Sequence, residues 1–291
     1  LNPVENAARL MNRFDPALPD IRLLVIFGVE AVQNWYPDEP ARSRYDLNDR
    51  LGIEKKAVKL WDAGYLNALV PSDLVNDGSL TLDDDNRPVL NGHVFDAVVY
   101  LYPQYSKQPA MDFLEQYAAN GGKLMLVGDA SHDFQARDAS GWFSRLEKQA
   151  TVSGFDIDEI AGLGIAKSRH DKVCINEDGS RVITNLDSLR SGREARFELE
   201  IGGDTWSGSY TGFAAIAAGA EGELDRLAAT GGRELSRNGE RLLDLERTTD
   251  LFIVKNTDGY RLELLDSAGD NSVLLNRLDT GSPAPVTGSE Q

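Results

Sequence analysis

Three consecutive residues, Ser131, His132 and Asp133, carry the side-chain types of a hydrolytic triad. In a working triad a carboxylate orients the imidazole, which accepts the proton of the hydroxyl nucleophile. Consecutive residues cannot adopt that arrangement, and the sequence contains no Gly-x-Ser-x-Gly elbow to present a serine. The segment is therefore not predicted to act as a triad by itself.

A metal site needs histidines and carboxylates that converge, and the sequence does not predict one. The three histidines are scattered along the chain, at His93, His132 and His170. The acidic run Asp83, Asp84 and Asp85 is the best calcium candidate, but it lacks the glycine and the distal glutamate of a calcium loop. A solvated hairpin turn is the favoured interpretation, and no metal is predicted.

Glycine-rich loops bind phosphates through backbone N–H groups at a helix N-terminus, and none is present here in working form. Residues 162–167 contain two of the three glycines of a dinucleotide motif, without a clear strand before them. The pair Gly122 and Lys123 is followed by Leu124 rather than by Ser or Thr. Both segments are interpreted as turns, and no cofactor is predicted.

The better candidates for a site follow predicted strands, because open α/β sheets bind ligands at the carboxyl ends of their strands. Carboxylate, imidazole, amide and aromatic side chains follow the first, third and fourth strands. The predicted ligand cleft contains Glu30, Asn34, Trp35, Tyr36, Tyr102, Gln104, Asp129, His132 and Asp133. Such side chains can stack on a sugar and hydrogen-bond to it, whereas the simpler alternative is a set of loops packed against their neighbours.

The elements that must position these residues alternate between strand and helix patterns from residue 21 to residue 150. Short apolar runs at residues 21–28, 66–71, 95–101 and 123–127 predict four strands. Apolar residues with helical spacing lie between them, so a doubly wound parallel sheet is expected. Residues 80–82 and 88–90 flank the acidic run and predict a hairpin.

Beyond residue 151 the pattern changes to short β-like runs separated by Asp-Gly, Gly-Gly and Asn-Gly turns, which predict mostly antiparallel structure. We therefore predict an N-terminal extension at residues 1–20, an α/β domain at 21–150, a smaller β-rich domain at 151–280 and a linker-like tail at 281–291. A start at Leu1 and a tail rich in Pro, Ser and Gly suggest a processed chain or part of a longer one.

Composition excludes several classes of partner. A formal charge of −17 argues against binding to a nucleic acid backbone. No apolar run approaches the roughly 18 residues of a membrane span. The lone Cys174 excludes an internal disulfide and leaves the cellular compartment open.

Residues 95–99 (FDAVV) and 120–128 (NGGKLMLVG), with a predicted helix between them, resemble the class I glutamine amidotransferase-like superfamily. More specifically, they resemble the amidotransferase-like domains that accompany glycoside hydrolases, including the β-galactosidase trimerisation domain. The resemblance covers residues 20–135, under half of the chain, and it implies a flavodoxin-like sheet. Its motifs are structural: a buried strand, a Gly-Gly cap and a strand that ends in glycine.

The chain departs from the catalytic members of that superfamily at the nucleophile. Their cysteine directly follows the strand that corresponds to residues 123–127, and here that position falls on Gly128 or Asp129. Cys174 lies far downstream and cannot be carried over. Because an amidotransferase forms its acyl intermediate on a thiolate, glutamine hydrolysis is not expected.

The resemblance implies a non-catalytic accessory or assembly module of a larger carbohydrate-processing protein. Its partners would be a neighbouring catalytic domain or further copies of the chain, and carbohydrate is a further candidate. The resemblance alone favours a secreted or periplasmic location. One alternative is a hydrolase that uses paired carboxylates and His132. Another is a sugar-binding module, with Trp35, Tyr36, Tyr102 and Trp206 as the stacking residues.

Overall fold

The computed structural model describes residues 3–33, 51–266 and 269–275. The chain divides into two compact units. One unit comprises residues 21–171, and the other comprises residues 1–20 together with residues 172–291.

The elements of the first half, in chain order, are α1 (Pro3–Phe14), β1 (Leu23–Phe27), α2 (Val29–Gln33), α3 (Ile53–Asp62), β2 (Asn67–Pro71), α4 (Asp73–Asn76), β3 (Leu80–Leu82), β4 (Pro88–Leu90), β5 (His93–Val94), β6 (Ala97–Leu101), α5 (Gln108–Ala119), β7 (Leu124–Val127), α6 (Ser140–Leu146), β8 (Thr151–Ser153) and α7 (Ile157–Gly162). They continue with β9 (Arg169–His170), β10 (Val173–Ile175), β11 (Arg181–Thr184), α8 (Leu186–Ser191), β12 (Ala195–Ile201), β13 (Asp204–Tyr210), β14 (Phe213–Ala218), β15 (Leu224–Arg237), β16 (Glu240–Asn256), β17 (Gly259–Asp266) and β18 (Gly269–Leu275).

The unit of residues 21–171 is built on a parallel sheet with the strand order β2-β1-β6-β7-β8. The pairings of β1 with β2 and β6, and of β7 with β6 and β8, are all parallel. This arrangement confirms the α/β class. The strand β8 follows residue 150, where the sequence analysis had ended the α/β part. It has only three residues, and Val152 is its one aliphatic residue, so its pattern was too short to recognise.

Both faces of the parallel sheet are covered, which explains the continuous apolar run in β1. Leu24 and Ile26 pack with Leu114 of α5 on one face. Leu23 and Val25 pack with Leu60 of α3 on the other face. Successive side chains of a strand point to opposite faces, so a strand between two helical layers has to be apolar at every position.

The acidic run lies in the predicted hairpin. Strands β3 and β4 pair antiparallel, with Leu80 opposite Leu90 and Leu82 opposite Pro88. Asp83 accepts hydrogen bonds from the backbone N–H groups of Asp85 and Arg87. The structure therefore confirms the hairpin.

The other unit is antiparallel, as its turn-rich sequence predicted. Its strands follow the order β18-β17-β16-β15-β14-β11-β10, and the β12–β13 hairpin joins β15 through β13. The first half of β15 pairs with β14, and its last residues pair with β13. Register shifts at Gly232 separate the two halves, so the sheet curls where β15 exchanges one partner for the other.

Trp206 lies in the core of this antiparallel unit. Its side chain is fully buried, and the guanidinium carbon of Arg237 lies 5.7 Å from the centre of its ring. The expectation that Trp206 stacks on a sugar is therefore wrong. The glycines and polar residues around it form the turn between β12 and β13, but the tryptophan itself points inward from β13.

The helix α1 packs against the antiparallel sheet. Leu10 and Phe14, which are four residues apart and so share a face, are buried with Phe213 and Phe252. Arg226 donates from Nε to the Phe14 carbonyl at 2.9 Å, and its guanidinium lies 4.8 Å from the centre of the Phe14 ring. The first turns of the chain thus complete a core whose other residues come after residue 172.

Removing the Phe14 ring should expose that dependence. We expect Phe14→Ala to lower the free energy of unfolding by about 3 to 5 kcal/mol, because a large buried side chain is replaced by a cavity. Val4→Ala on the same helix is the control, since Val4 is 58% exposed, and it should change stability by less than about 0.5 kcal/mol. Urea denaturation followed by circular dichroism measures both variants. Equal, small effects would contradict the packing of α1.

Candidate functional site

The carboxyl ends of the parallel strands lie at one edge of the sheet, and most of the predicted cleft residues are there. Glu30 follows β1, and Ser72 follows β2. The segment from Tyr102 to Lys107 follows β6, and the segment from Asp129 to Arg137 follows β7. The loops after these four strands therefore define the candidate site.

Glu30 is a buried carboxylate that joins three of these loops. Its side chain is 1% exposed. Its Oε2 accepts from the Ser72 hydroxyl at 2.6 Å, and its Oε1 accepts from the Asn76 amide at 2.9 Å. The Lys107 ammonium lies 3.3 Å from Oε1. A buried carboxylate is tolerated only with such donors, so Glu30 ties the loops after β1, β2 and β6 together.

Tyr100 of β6 lies close to this carboxylate. Its phenol is fully buried. Burial raises the pKa of Tyr100 to about 12, and the negative charge of Glu30 acts in the same direction. The phenol is therefore neutral at physiological pH. Because it ionises more readily in the unfolded chain, the stability of the fold decreases as the pH rises through about 10 to 12.

Removing the Glu30 carboxylate should destabilise this edge. Glu30→Ala leaves the buried Ser72 hydroxyl and the Asn76 amide without their acceptor, and we expect a loss of about 3 kcal/mol of folding free energy. Asp73→Ala is the matched control, because Asp73 faces the same ammonium at 3.5 Å and its side chain is 54% exposed. That change should cost less than about 0.5 kcal/mol. Urea denaturation of the two variants side by side tests the difference.

Gln104 holds the loop after β6 against the loop after β7. Its Oε1 accepts from the Ser131 backbone N–H at 2.6 Å, and its Nε2 donates to the Ser131 hydroxyl at 2.8 Å. The Ser131 hydroxyl is also 2.8 Å from Nδ1 of His132. The imidazole stacks on the Tyr105 ring, with 6.2 Å between the ring centres. The structure thus brings together Gln104 and His132 of the predicted cleft.

The loop after β6 has an unusual backbone. Tyr102 and Tyr105 have φ values of 60° and 63°, in the left-handed region that residues other than Gly, Asn and Asp rarely adopt. Gly28 makes this path possible, because a Cβ on Gly28 would lie 2.1 Å from the Tyr102 carbonyl oxygen. Gly128 has a φ of 97°, and a Cβ there would lie 3.3 Å from the Tyr102 ring.

Asp133 caps the turn that follows. Its Oδ1 accepts from the backbone N–H groups of Gln135 and Arg137, and its Oδ2 accepts from Arg137 Nε at 2.7 Å and pairs with Nη2 at 2.6 Å. These hydrogen bonds, those from the Arg137 side chain above all, hold the pKa of Asp133 below its usual value. Acidification should therefore weaken this turn as the pH falls through the lowered pKa.

The same five-residue turn occurs at Asp83. There too the carboxylate accepts from the backbone N–H two and four residues later and from the Nε of an arginine four residues later, Arg87. The fourth residue of each turn has a left-handed backbone, with a φ of 60° at Asn86 and 59° at Ala136. An Asp-x-x-x-Arg spacing thus produced both turns.

The left-handed conformation at Ala136 is strained, and asparagine should relieve it. We expect Ala136→Asn to raise the free energy of unfolding by about 1 kcal/mol, because asparagine tolerates this conformation better than alanine. Gln135→Asn in the same turn is the control, since Gln135 has no positive φ. Thermal and urea denaturation measure both. An Ala136→Asn protein no more stable than the control would refute the strain.

The remaining described residues of the predicted cleft are not part of the hydrogen bonds around Glu30, Gln104 and Asp133. Asp129 is exposed directly after Gly128. Tyr102 donates from its hydroxyl to the Leu51 carbonyl at 2.5 Å and therefore serves packing. Asn34, Trp35 and Tyr36 lie outside the described residues.

Sequence reasoning missed Ser72, Lys107 and Arg137. The repeat of the Asp-x-x-x-Arg spacing was the available signal for Arg137. The partners of Lys107 are distant in sequence, and no local pattern could have found them.

In the described part of the chain, no group of three or more His, Cys, Asp and Glu residues could hold a metal ion. Asp83 and Asp85 both pair with Arg87. Among the same residues no helix is long and apolar enough to cross a membrane.

Comparisons with known proteins give a structural likeness and no match in sequence. No protein-family model matches the chain, and no curated protein matches it. Among solved structures, the chain is similar to the apo exo-carrageenase GH42 from Bacteroides ovatus, with 11% sequence identity and a TM-score of 0.28. The match covers 89% of this chain and 28% of that chain. The present sequence therefore corresponds to less than a third of that protein's length, and the amidotransferase-like resemblance stays a prediction.

Proposed function

We propose that this chain is a non-catalytic accessory or assembly module of a larger carbohydrate-processing protein. One observation carries the proposal: the side chains best suited to chemistry at the carboxyl edge are hydrogen-bonded to the loops themselves. Glu30 is bound by Ser72, Asn76 and Lys107, and Asp133 is bound by Arg137. Carboxylates with saturated acceptors position loops well and act poorly as acids or bases.

The position after β7 supports the same proposal. In the superfamily that the sequence resembles, a cysteine nucleophile directly follows this strand. Here Gly128 and Asp129 stand there, and the Tyr102 ring packs over Gly128. The lone thiol, Cys174, lies in β10 of the antiparallel unit. Without a thiolate at this edge, no acyl intermediate of an amidotransferase can form.

The topology is consistent with the fold that the resemblance implies. Counted along the chain, the five parallel strands lie in the order 2-1-3-4-5, which is the order of flavodoxin-like sheets. We therefore propose that residues 21–171 form a flavodoxin-like domain and that the antiparallel unit is an accessory domain. The proposed partners are a catalytic domain of the parent protein or further copies of this chain, in a secreted or periplasmic setting.

A hydrolase is the alternative, and one observation favours it. The Ser131 hydroxyl lies 2.8 Å from His132 Nδ1, which is the contact between a nucleophile and its base. In the described part of the chain no carboxylate hydrogen-bonds to this imidazole, and Asp133 pairs with Arg137 instead. The contact thus lacks the group that orients the base in a triad.

Activity assays of the purified chain distinguish the two functions. We expect no turnover of aryl glycosides or aryl esters above that of Ser131→Ala and Asp129→Ala variants, because neither residue has a complete catalytic partner set. Turnover that either substitution abolishes, with Asp112→Ala as an exposed control that retains it, would overturn the accessory role.

Light scattering over a concentration series then separates the two forms of the proposal. A stable dimer or trimer supports assembly through copies of this chain. A monomer at all concentrations supports packing against a catalytic domain of the parent protein, and the longer protein becomes the object of study.

A further inference from the structure

A small cavity lies beside the turn that begins at Asp133, between the start of α5 and the loop after β7. Its volume is about 80 Å³, and its lining includes Lys107, Gln108, Asp133, Phe134, Gln135 and Arg137. A water molecule needs roughly 10 to 15 Å³ of such space, so the cavity can hold a group of several heavy atoms. Only Asp133 of this lining belonged to the predicted cleft.

The cavity offers hydrogen-bond donors, and its one carboxylate is already occupied. Asp133 already accepts from two backbone N–H groups and from two nitrogens of Arg137. Arg137 has five N–H donors, and its pair with Asp133 uses two of them. That pair fixes the plane of the guanidinium, while 65% of the Arg137 side chain stays exposed. The free donors are thus held in place before any ligand arrives.

Lys107 and Phe134 form the other wall. The Lys107 ammonium lies 5.2 Å from the centre of the Phe134 ring and forms ion pairs with Glu30 and Asp73. Half of the Phe134 side chain is exposed, although the ring is a large apolar group. An exposed ring beside fixed donors is the usual platform for the apolar face of a pyranose.

The two cations of the lining are engaged differently. The Lys107 ammonium is paired with Glu30 at 3.3 Å and with Asp73 at 3.5 Å, so its charge is balanced within the protein. Arg137 pairs with Asp133 through two of its nitrogens, and its remaining N–H groups are the donors that a ligand can meet. A guanidinium held in this way favours a carboxylate or sulfate oxygen, because hydrogen bonds between charged groups are the stronger ones.

We infer that this cavity binds an acidic sugar, whose carboxylate or sulfate group accepts from Arg137 while its ring stacks on Phe134. The inference goes beyond the proposed accessory function, because a module can bind such a sugar whether it assembles with copies of itself or with a catalytic domain. A carboxylate group and a sulfate ester both present anionic oxygens, and binding of a uronate or of a sugar sulfate distinguishes them.

The test is ligand-observed NMR and calorimetry on the full chain at neutral pH, with glucuronate, galacturonate, glucose 6-sulfate, glucose, acetate and inorganic sulfate as probes. We expect at least one acidic sugar to bind about tenfold or more tightly than glucose, acetate and sulfate ion, because charge and ring then act together. Binding of a uronate identifies the carboxylate as the recognised group, and binding of glucose 6-sulfate alone identifies the sulfate ester.

Two variants and a matched control localise the binding. Arg137→Gln should weaken it about tenfold, and Phe134→Ala should weaken it about fivefold. Arg87→Gln is the control, because Arg87 forms the same turn with Asp83 away from the cavity, and it should leave affinity within about twofold. Circular dichroism confirms that the variants fold.

Three results would overturn the inference: affinity for glucose equal to that for the acidic sugars, affinity for acetate or sulfate ion equal to that for the sugars, or binding that survives both Arg137→Gln and Phe134→Ala. None of them bears on the accessory function, which the turnover assays test separately.

Discussion

A buried carboxylate needs hydrogen-bond donors or a cation beside it. At the carboxyl edge of the parallel sheet, the loops after β2 and β6 supply these partners to Glu30, which follows β1. The Ser72 hydroxyl also accepts from the backbone N–H of Val29, so the start of α2 is fixed by the same group that donates to Glu30. Lys107, drawn toward Glu30, starts α5 and forms a wall of the donor-rich cavity. The position of that wall therefore depends on an ion pair that closes a loop of more than seventy residues.

The same edge shows how polar groups can build a surface instead of reacting on it. Gln104 uses both ends of its amide to hold two loops together, and Asp133 uses both oxygens to shape one turn. The loop after β6, which Gln104 holds to the loop after β7, keeps two tyrosines in a left-handed backbone conformation that a free loop would rarely adopt. The groups at this edge that remain exposed to solvent include guanidinium donors, amides and aromatic rings.

The strands β1, β2, β6 and β7 could be predicted because a strand that is buried on both faces has a continuous apolar run in its sequence. The strand β8 could not, since an edge strand of three residues leaves no such pattern. The inward direction of Trp206 was missed because it depends on the pairing of β13 with β15, which no local signal reveals. At the site, the position of Glu30, Gln104 and His132 at one edge followed from the parallel topology. The partners of Glu30, which include Ser72 and Lys107, follow from tertiary packing that residue types alone do not encode.

The helix α1 packs onto strands that are synthesised only after residue 172. The antiparallel unit is discontinuous, and residues 21–171 are an insertion between its first helix and its first strand pair. The two points of insertion lie close together, since Asp20 donates from its backbone N–H to the Ile175 carbonyl. On the ribosome, the inserted unit is complete before the strands that receive Leu10 and Phe14 exist. The apolar face of α1 therefore stays without its partners until β14 and β16 emerge, and apolar surface exposed in this way is prone to aggregation during synthesis.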